Sequence, residues 1–287
     1  MGWDAIAVLW CAVWGGVALV GFGMSLAGVT REQRTVRLTG RIDQVRQPRH
    51  GGPRRGGIWV VVSYRDPASG REVVVTNDGE RGEMVTAAWE GREVGVSHPR
   101  GRPHAYRFSS TSQEPGRGLC WPSFALFLVY VGLVVLAAVS WGWPWALIGG
   151  GAPWAVAGAV QLPGAVRAKK RRGEGLAVME SVPGRVVAVL KDVTVDDSSC
   201  TMTTLTPVVS FTTRAGTAVT AHCTSHLPDP ARAFGREVTV HYPPADPAGF
   251  TLDPGAEQRS AGWEVRWHVA AVVVLAATAA AGAVLLL

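Results

Sequence analysis

The residue types best suited to chemistry crowd into one short stretch, His222-Cys223-Thr224-Ser225-His226, with Cys200 and His241 on either side. Imidazole and thiolate are ordinary zinc ligands. Their spacing opposes a shared ion. His222 and His226 converge only on a helix; along a strand, at about 3.3 Å per residue, they stand roughly 13 Å apart, and Cys223 points to the opposite face. No CxxC pair accompanies them, so no metal-binding residue is expected. Catalysis has no better start. GxSxG, HExxH and phosphate-cradling glycine motifs do not occur, and Asp196-Asp197 has no neighbouring histidine. No catalytic residue, no cofactor-binding residue and no cofactor is expected, and the chain does not read as an enzyme.

Charge offers a second kind of chemistry. Arg46, Arg49, His50, Arg54 and Arg55, interrupted by Gly51, Gly52, Gly56 and Gly57, make a basic tip. It could hold anionic lipid headgroups at about 1 kcal/mol per basic residue; the plainer reading is a solvated hairpin loop. No aromatic residues interleave these arginines as a stacking platform requires, so specific nucleic-acid binding is not expected. The matching loop later in the chain, Lys191 to Leu205, carries Asp192, Asp196 and Asp197. Opposite signs at equivalent loops predict a contact between them, within one chain or between two. A third basic group, Lys169-Lys170-Arg171-Arg172, reads first as a membrane topology signal and second as a lipid contact.

The elements that must carry these groups follow from where charge is missing. The 287 residues are 47% hydrophobic and only 17% charged, against roughly 25% charged in soluble domains. No Asp, Glu, Lys or Arg occurs from Ala5 to Thr30, from Gly118 to Val166, or from Trp267 to Leu287. A bilayer core of roughly 30 Å takes about 20 helical residues. The first tract therefore predicts one span at residues 3–29 and the last one at 267–287. The middle tract is too long for one, and Ser140-Trp141-Gly142-Trp143-Pro144-Trp145 divides it into spans at 120–141 and 143–166. Four transmembrane helices are expected, with aqueous segments at 30–117 and 167–266.

Basic residues flank both aqueous segments at their membrane junctions: Arg31, Arg34, Arg37 and Arg41, then Arg117, then Arg167 to Arg172, then Arg259 and Arg266. This predicts a multi-pass protein of the inner (cytoplasmic) membrane, with both segments cytosolic and both termini outside. The rival reading makes residues 1–27 a cleaved signal peptide ending at Ser25-Leu26-Ala27. Within the spans, Gly21 with Ser25, Gly23 with Ala27, and Thr278 with Gly282 have the small-residue spacing of close helix packing, either inside the bundle or in a homo-oligomer. Gly149-Gly150-Gly151 and Pro153 could mark the unwound helix of a transporter or, more simply, a packed kink.

The two aqueous segments match each other. Gly40-Arg41-Ile42 corresponds to Gly184-Arg185-Val186, Val60 to Tyr64 to Pro207 to Phe211, Gly70 to Gly216, and Gly91 to Val96 to Gly235 to Val240. Short β-branched runs bounded by turn residues predict about five strands per copy. Each copy could bury a core only as a small barrel or two-layer sandwich. The second copy, with Gly184, Val186, Gly235 to Val240, Tyr242, Pro243, Asp246 and Pro247, resembles a large family of bacterial membrane proteins of unknown function whose unit is helix, small β-domain, helix. The first copy departs at Ser97 to Pro103. The resemblance implies two tandem units and a membrane location, and assigns no reaction. The expected function is a non-enzymatic interaction or scaffold module displaying two β-domains at the cytoplasmic membrane surface. The bilayer, anionic lipid and an unspecified protein are its expected partners. The alternative is a component of small-solute or lipid transport.

Overall fold

The computed structural model describes residues 2–30, 34–53, 57–67, 69–77, 84–102, 105–109, 119–195, 201–225 and 227–287. It divides into a helical unit (1–34, 116–174 and 258–287) and a β unit (35–115 and 175–257).

The helical unit holds α1 (Trp3–Leu26), α2 (Cys120–Trp141), α3 (Pro144–Ala177) and α4 (Pro254–Val284). Three of them, α1, α2 and α4, are long and apolar enough to cross a membrane; α3 does not meet that measure, so the expectation of four apolar spans is corrected to three. The reason is composition. Between Pro144 and Val166, α3 carries three prolines, five glycines, two tryptophans and Gln161, which together dilute its apolar residues. Two boundaries also move. α3 runs on to Ala177 and α4 begins at Pro254, so both continue as helix well into the stretch 167–266.

Missing side chains hold the bundle together. A methyl group at Gly21 would lie 2.6 Å from Pro122 Cγ, and one at Gly132 2.7 Å from Cys11 Sγ, so α1 and α2 touch along their backbones. Trp10 Nε1 donates to the Leu128 carbonyl at 3.0 Å across the same seam. Gly149 faces Val134 of α2, while Gly151 faces the Leu275 carbonyl and Gly158 faces Val272 of α4. Water-free packing has no hydrophobic drive between helices, and close approach through small residues takes its place.

The β unit contains two open antiparallel sheets. The first has strand order β3 (Glu72–Thr76), β2 (Trp59–Arg65), β1 (Thr35–Arg46), β5 (Glu93–Pro99), β6 (Arg107–Ser109); the second has β10 (Glu237–Tyr242), β7 (Glu180–Val195), β8 (Thr201–Thr212), β9 (Ala218–His222), β4 (Ala87–Ala88). Neither closes into a barrel, which corrects that half of the expectation. The outer strands of each sheet, β3 and β6 or β10 and β4, end the ladder without meeting.

Pairing recurs between the sheets. Gly40 lies opposite Val94 and Gly184 opposite Val238; Ile42 pairs with Val62 and Val186 with Val209, each followed by a bulge. At Gly40 a methyl group would meet Val62 Cγ1 at 2.6 Å, and at Gly184 it would meet Val240 Cγ2 at 2.7 Å. Only glycine allows these strands to lie so close to the valines. Val94, Val96 and Val240 are buried, and Val238 is half-buried.

The sequence halves interlock rather than standing apart. β4 comes from the first half and forms the edge of the second sheet, with Ala87 opposite Ala221 and Ala88 opposite Thr220. The core around Ile42, Val60 and Val62 takes in Ala188, Leu190 and Val208 from β7 and β8; the core around Val186 and Val209 takes in Ala87. Arg92 secures the crossing: its guanidinium lies 4.6 Å from the Trp89 ring and donates to the Ala87 carbonyl. Burial lowers the pKa of Arg92, and Asp246 from the second half opposes that shift.

Candidate functional site

The described part of the cysteine-histidine stretch is tied into the second sheet. His222 ends β9, and its N–H donates to the Thr86 carbonyl at 2.7 Å, extending the β4 pairing; Cys223 N–H donates to Pro207 O at 2.8 Å. Cys223 is buried, its thiol donates to Ser225 O at 3.4 Å, and burial pushes its pKa up. His241 exchanges backbone hydrogen bonds with Thr251. Cys200 and His226 lie outside the described residues. Among the described residues no three His, Cys, Asp or Glu side chains come together in a group able to hold a metal ion.

The basic tip does meet the second half, through its backbone. Gly51 N–H donates to Val189 O at 2.9 Å, and Lys191 N–H donates to Gly52 O at 3.0 Å. His50 Nδ1 accepts from Val189 N–H at 3.2 Å, and its ring stacks on Phe234 with centroids 4.2 Å apart. Arg46 lies over Trp59 at 4.3 Å. Among the described residues Arg49 and Asp192 form no ion pair, and Arg54, Arg55, Asp196 and Asp197 lie outside the described residues. The loop expected to meet its partner through charge thus docks by backbone hydrogen bonds to the edge of β7 opposite β8, beyond the stretch that pairs with β10.

In the helical unit, Gly149 to Pro153 belongs to unbroken helix. Tyr130 Oη donates to the Gly149 carbonyl, and Trp154 stands 5.9 Å from Phe127, so α2 packs beside Gly149, while α4 meets Gly151 and Gly150 has nothing within 4 Å. Gly21 and Gly282 are likewise occupied by Pro122 and by Pro144 of the same chain; Gly23 has nothing within 4 Å.

Charge gathers where α3 and α4 extend past their apolar parts. Arg172 reaches Glu264 at 3.0 Å, and a methyl group at Gly262 would lie 3.9 Å from Lys169 Nζ. The run Arg167 to Arg172 therefore lies level with the segment Arg259 to Trp267. On α4, Arg259, Trp263, Arg266 and Trp267 fall at i, i+4, i+7 and i+8, one helical face. All four are exposed, and the two indole rings meet edge to face at 5.6 Å. In the sequence the stripe is hidden because Arg266 reads as a topology signal and Trp267 as the start of a span. The i, i+4, i+7, i+8 spacing of two Arg and two Trp is the available signal.

No protein-family model, curated protein or solved structure matches this chain.

Proposed function

We propose that the chain is a multi-pass membrane protein of four spans whose two sheets are copies of one unit, presented together on the cytoplasmic face as a non-enzymatic interaction or scaffold module. One observation carries the topology. β4 of the first segment pairs with β9 of the second, and each core contains residues of both. Segments that share strands and cores lie on one side of a bilayer, so the chain between them crosses an even number of times. α2 is apolar enough to cross; α3 therefore returns. Its Gly149, Gly151 and Gly158 pack against α2 and α4, and a helix keeps its backbone satisfied internally. At 34 residues it is about 51 Å long at about 1.5 Å per residue, more than a bilayer core requires. The basic flanks support the cytoplasm as the shared side.

The four native cysteines are unsuited to testing this, since Cys223 is buried with a raised pKa. Arg100→Cys and Ala215→Cys, both at exposed turns, should each be introduced into a background with Cys11, Cys120, Cys200 and Cys223 replaced by serine. A membrane-impermeant maleimide should label neither position in intact cells and both after permeabilisation. Labelling of only one position in intact cells would refute the shared face, and labelling of both would invert the topology.

A further inference from the structure

We infer that the outer edge of β3 is a strand-pairing surface, and that its occupant is β3 of a second copy of this chain, antiparallel about a twofold axis at Val74. The inference goes beyond the proposed function and stands apart from it. It needs only the fold of the first sheet, whichever face of a membrane carries that sheet.

The second sheet shows what this edge can do. In the first sheet Val62 pairs with Val75, Ser63 with Val74 and Tyr64 with Val73; in the second, Val209 pairs with Ala221, Ser210 with Thr220 and Phe211 with Val219. β3 and β9 are therefore equivalent strands. β9 accepts a further strand on its outer side: Ala88 of β4 lies opposite Thr220, and the His222 N–H donates to Thr86 O at 2.7 Å. Thr220 and His222 correspond to Val74 and Thr76. Among the described residues no strand pairs with β3 on that side.

The backbone of β3 is set to pair there. Asp66 N–H donates to Arg71 O, and alternate residues of an antiparallel strand direct their N–H and C=O groups to opposite sides. Val73 and Val75 thus bond towards β2, while Glu72, Val74 and Thr76 point their backbone groups outward. Tyr106 Oη takes the outward Thr76 carbonyl at 2.7 Å. Glu72 and Val74 have no backbone partner on that side among the described residues, and Val74 is 62% exposed. Folded sheets blunt their edges with proline, lysine, bulges or short strands. β6 and β4 have only three and two residues, and Thr251 bridges β10 at His241. β3 has none of these devices: five residues run in unbroken register, with three valines at the centre.

The side chains select the occupant. With the axis at Val74, each Val74 faces its own copy and each Glu72 faces the other copy's Thr76, so no like charges oppose and two exposed valines cover each other. Moving the axis to Glu72 would set two carboxylates face to face. Moving it to Thr76 would centre the pairing on the carbonyl that Tyr106 already holds.

The test uses the full chain in native membranes, with Cys11, Cys120, Cys200 and Cys223 replaced by serine, single cysteines introduced, and copper phenanthroline as oxidant. Opposed residues of a hydrogen-bonded antiparallel pair have Cα atoms about 5.5 Å apart, within reach of a disulfide, so Val74→Cys should link two chains. Glu72→Cys, about 13 Å from its copy along the strand at about 3.3 Å per residue, should give at least about fivefold less dimer, as should Arg100→Cys at an exposed turn. Val74 is exposed, so charged variants keep the fold, which near-ultraviolet circular dichroism checks. Differently tagged copies that both carry Val74→Lys should lose copurification, and a Val74→Lys copy should recover it with a Val74→Glu copy. Four results overturn the inference: no link at Val74→Cys, equal linking at positions 72 and 74, linking of Val74→Cys to a protein of another mass, or Val74→Lys copies that still copurify with each other.

Discussion

Tyr242 shows how the two halves solve one local problem with different residues. In the second sheet its ring lies 5.6 Å from Phe211, and its hydroxyl donates to Glu180 at 2.7 Å while accepting from the Arg214 N–H at 2.9 Å. At the matching positions of the first sheet Tyr64 and His98 stand 6.2 Å apart, so the phenol sits on β2, on the other side of β1 from β5. Burial raises the pKa of both tyrosines, and the carboxylates Glu180 for Tyr242 and Asp66 for Tyr64 add to it. The sign follows from linkage: an acid that holds its proton more tightly when folded stabilises the fold below its unfolded pKa, and that stability falls as pH rises through the folded value. The β unit should be fully stable below about pH 10 and loosen above it. Tyr242→Phe should make the alkaline fall shallower while lowering stability at neutral pH by about 1 kcal/mol through the lost hydrogen bonds. Chemical denaturation from pH 7 to 11 checks both effects; an unchanged alkaline slope would remove Tyr242 from the account.

At the scale of elements, the shortest strand has the widest effect. β4 contains only Ala87 and Ala88, yet both are buried and they complete a sheet built from the other half of the chain. Small residues suit the position because β9 already fills the core beneath it with Val219 and Ala221. Ala87→Asp would bury an unpaired carboxylate there, and a cost of about 3 kcal/mol or more is expected. Its signature is location: hydrogen exchange should accelerate at Val219 to His222, more than 130 residues away in sequence, as well as at β4. Acceleration confined to residues 84–99 would show that the second sheet does not depend on the crossing strand. The long ribbon of β7 and β8 obeys a related logic. Thr206 to Val209 are buried consecutively, whereas β2 alternates buried and half-buried residues from Trp59 to Tyr64. Strands covered on both faces need apolar residues throughout; strands covered on one face need them at every second position.

For the whole molecule, interlocked halves imply one folding event in the β unit. Val62 belongs to the first sheet and Val209 to the second, and both are fully buried. Truncating either to alanine should cost about 2 kcal/mol. Both variants should lower the same thermal transition, followed by near-ultraviolet circular dichroism in mild detergent, because neither core can be lost without exposing residues of the other. Two separable transitions, each responding to one variant, would establish independent domains. The interlock also orders assembly. The first segment cannot complete its partner's sheet until the second segment has been made.

Local chemistry alone made much of this legible. Charge-free tracts read as helices because the bilayer demands an apolar surface over a fixed length, and β-branched runs between turn residues read as strands because each strand's preference is local. Glycines at 40 and 184 were visible as matches, although the reason, a valine methyl where a Cβ would stand, appears only when strands are placed side by side. Hydropathy did not rank α3 with its neighbours because Gly, Pro, Trp and Gln161 dilute its apolar residues, and composition does not record that Gly149, Gly151 and Gly158 let other helices approach. The barrels failed for a similar reason. Strand positions are local, but which edges meet is a long-range choice, and this chain spends β4 and the Gly51–Gly52 loop on the other sheet instead of closing its own. Pairing across more than 100 residues depends on which buried surfaces fit once both halves are present, and only the tertiary structure decides that.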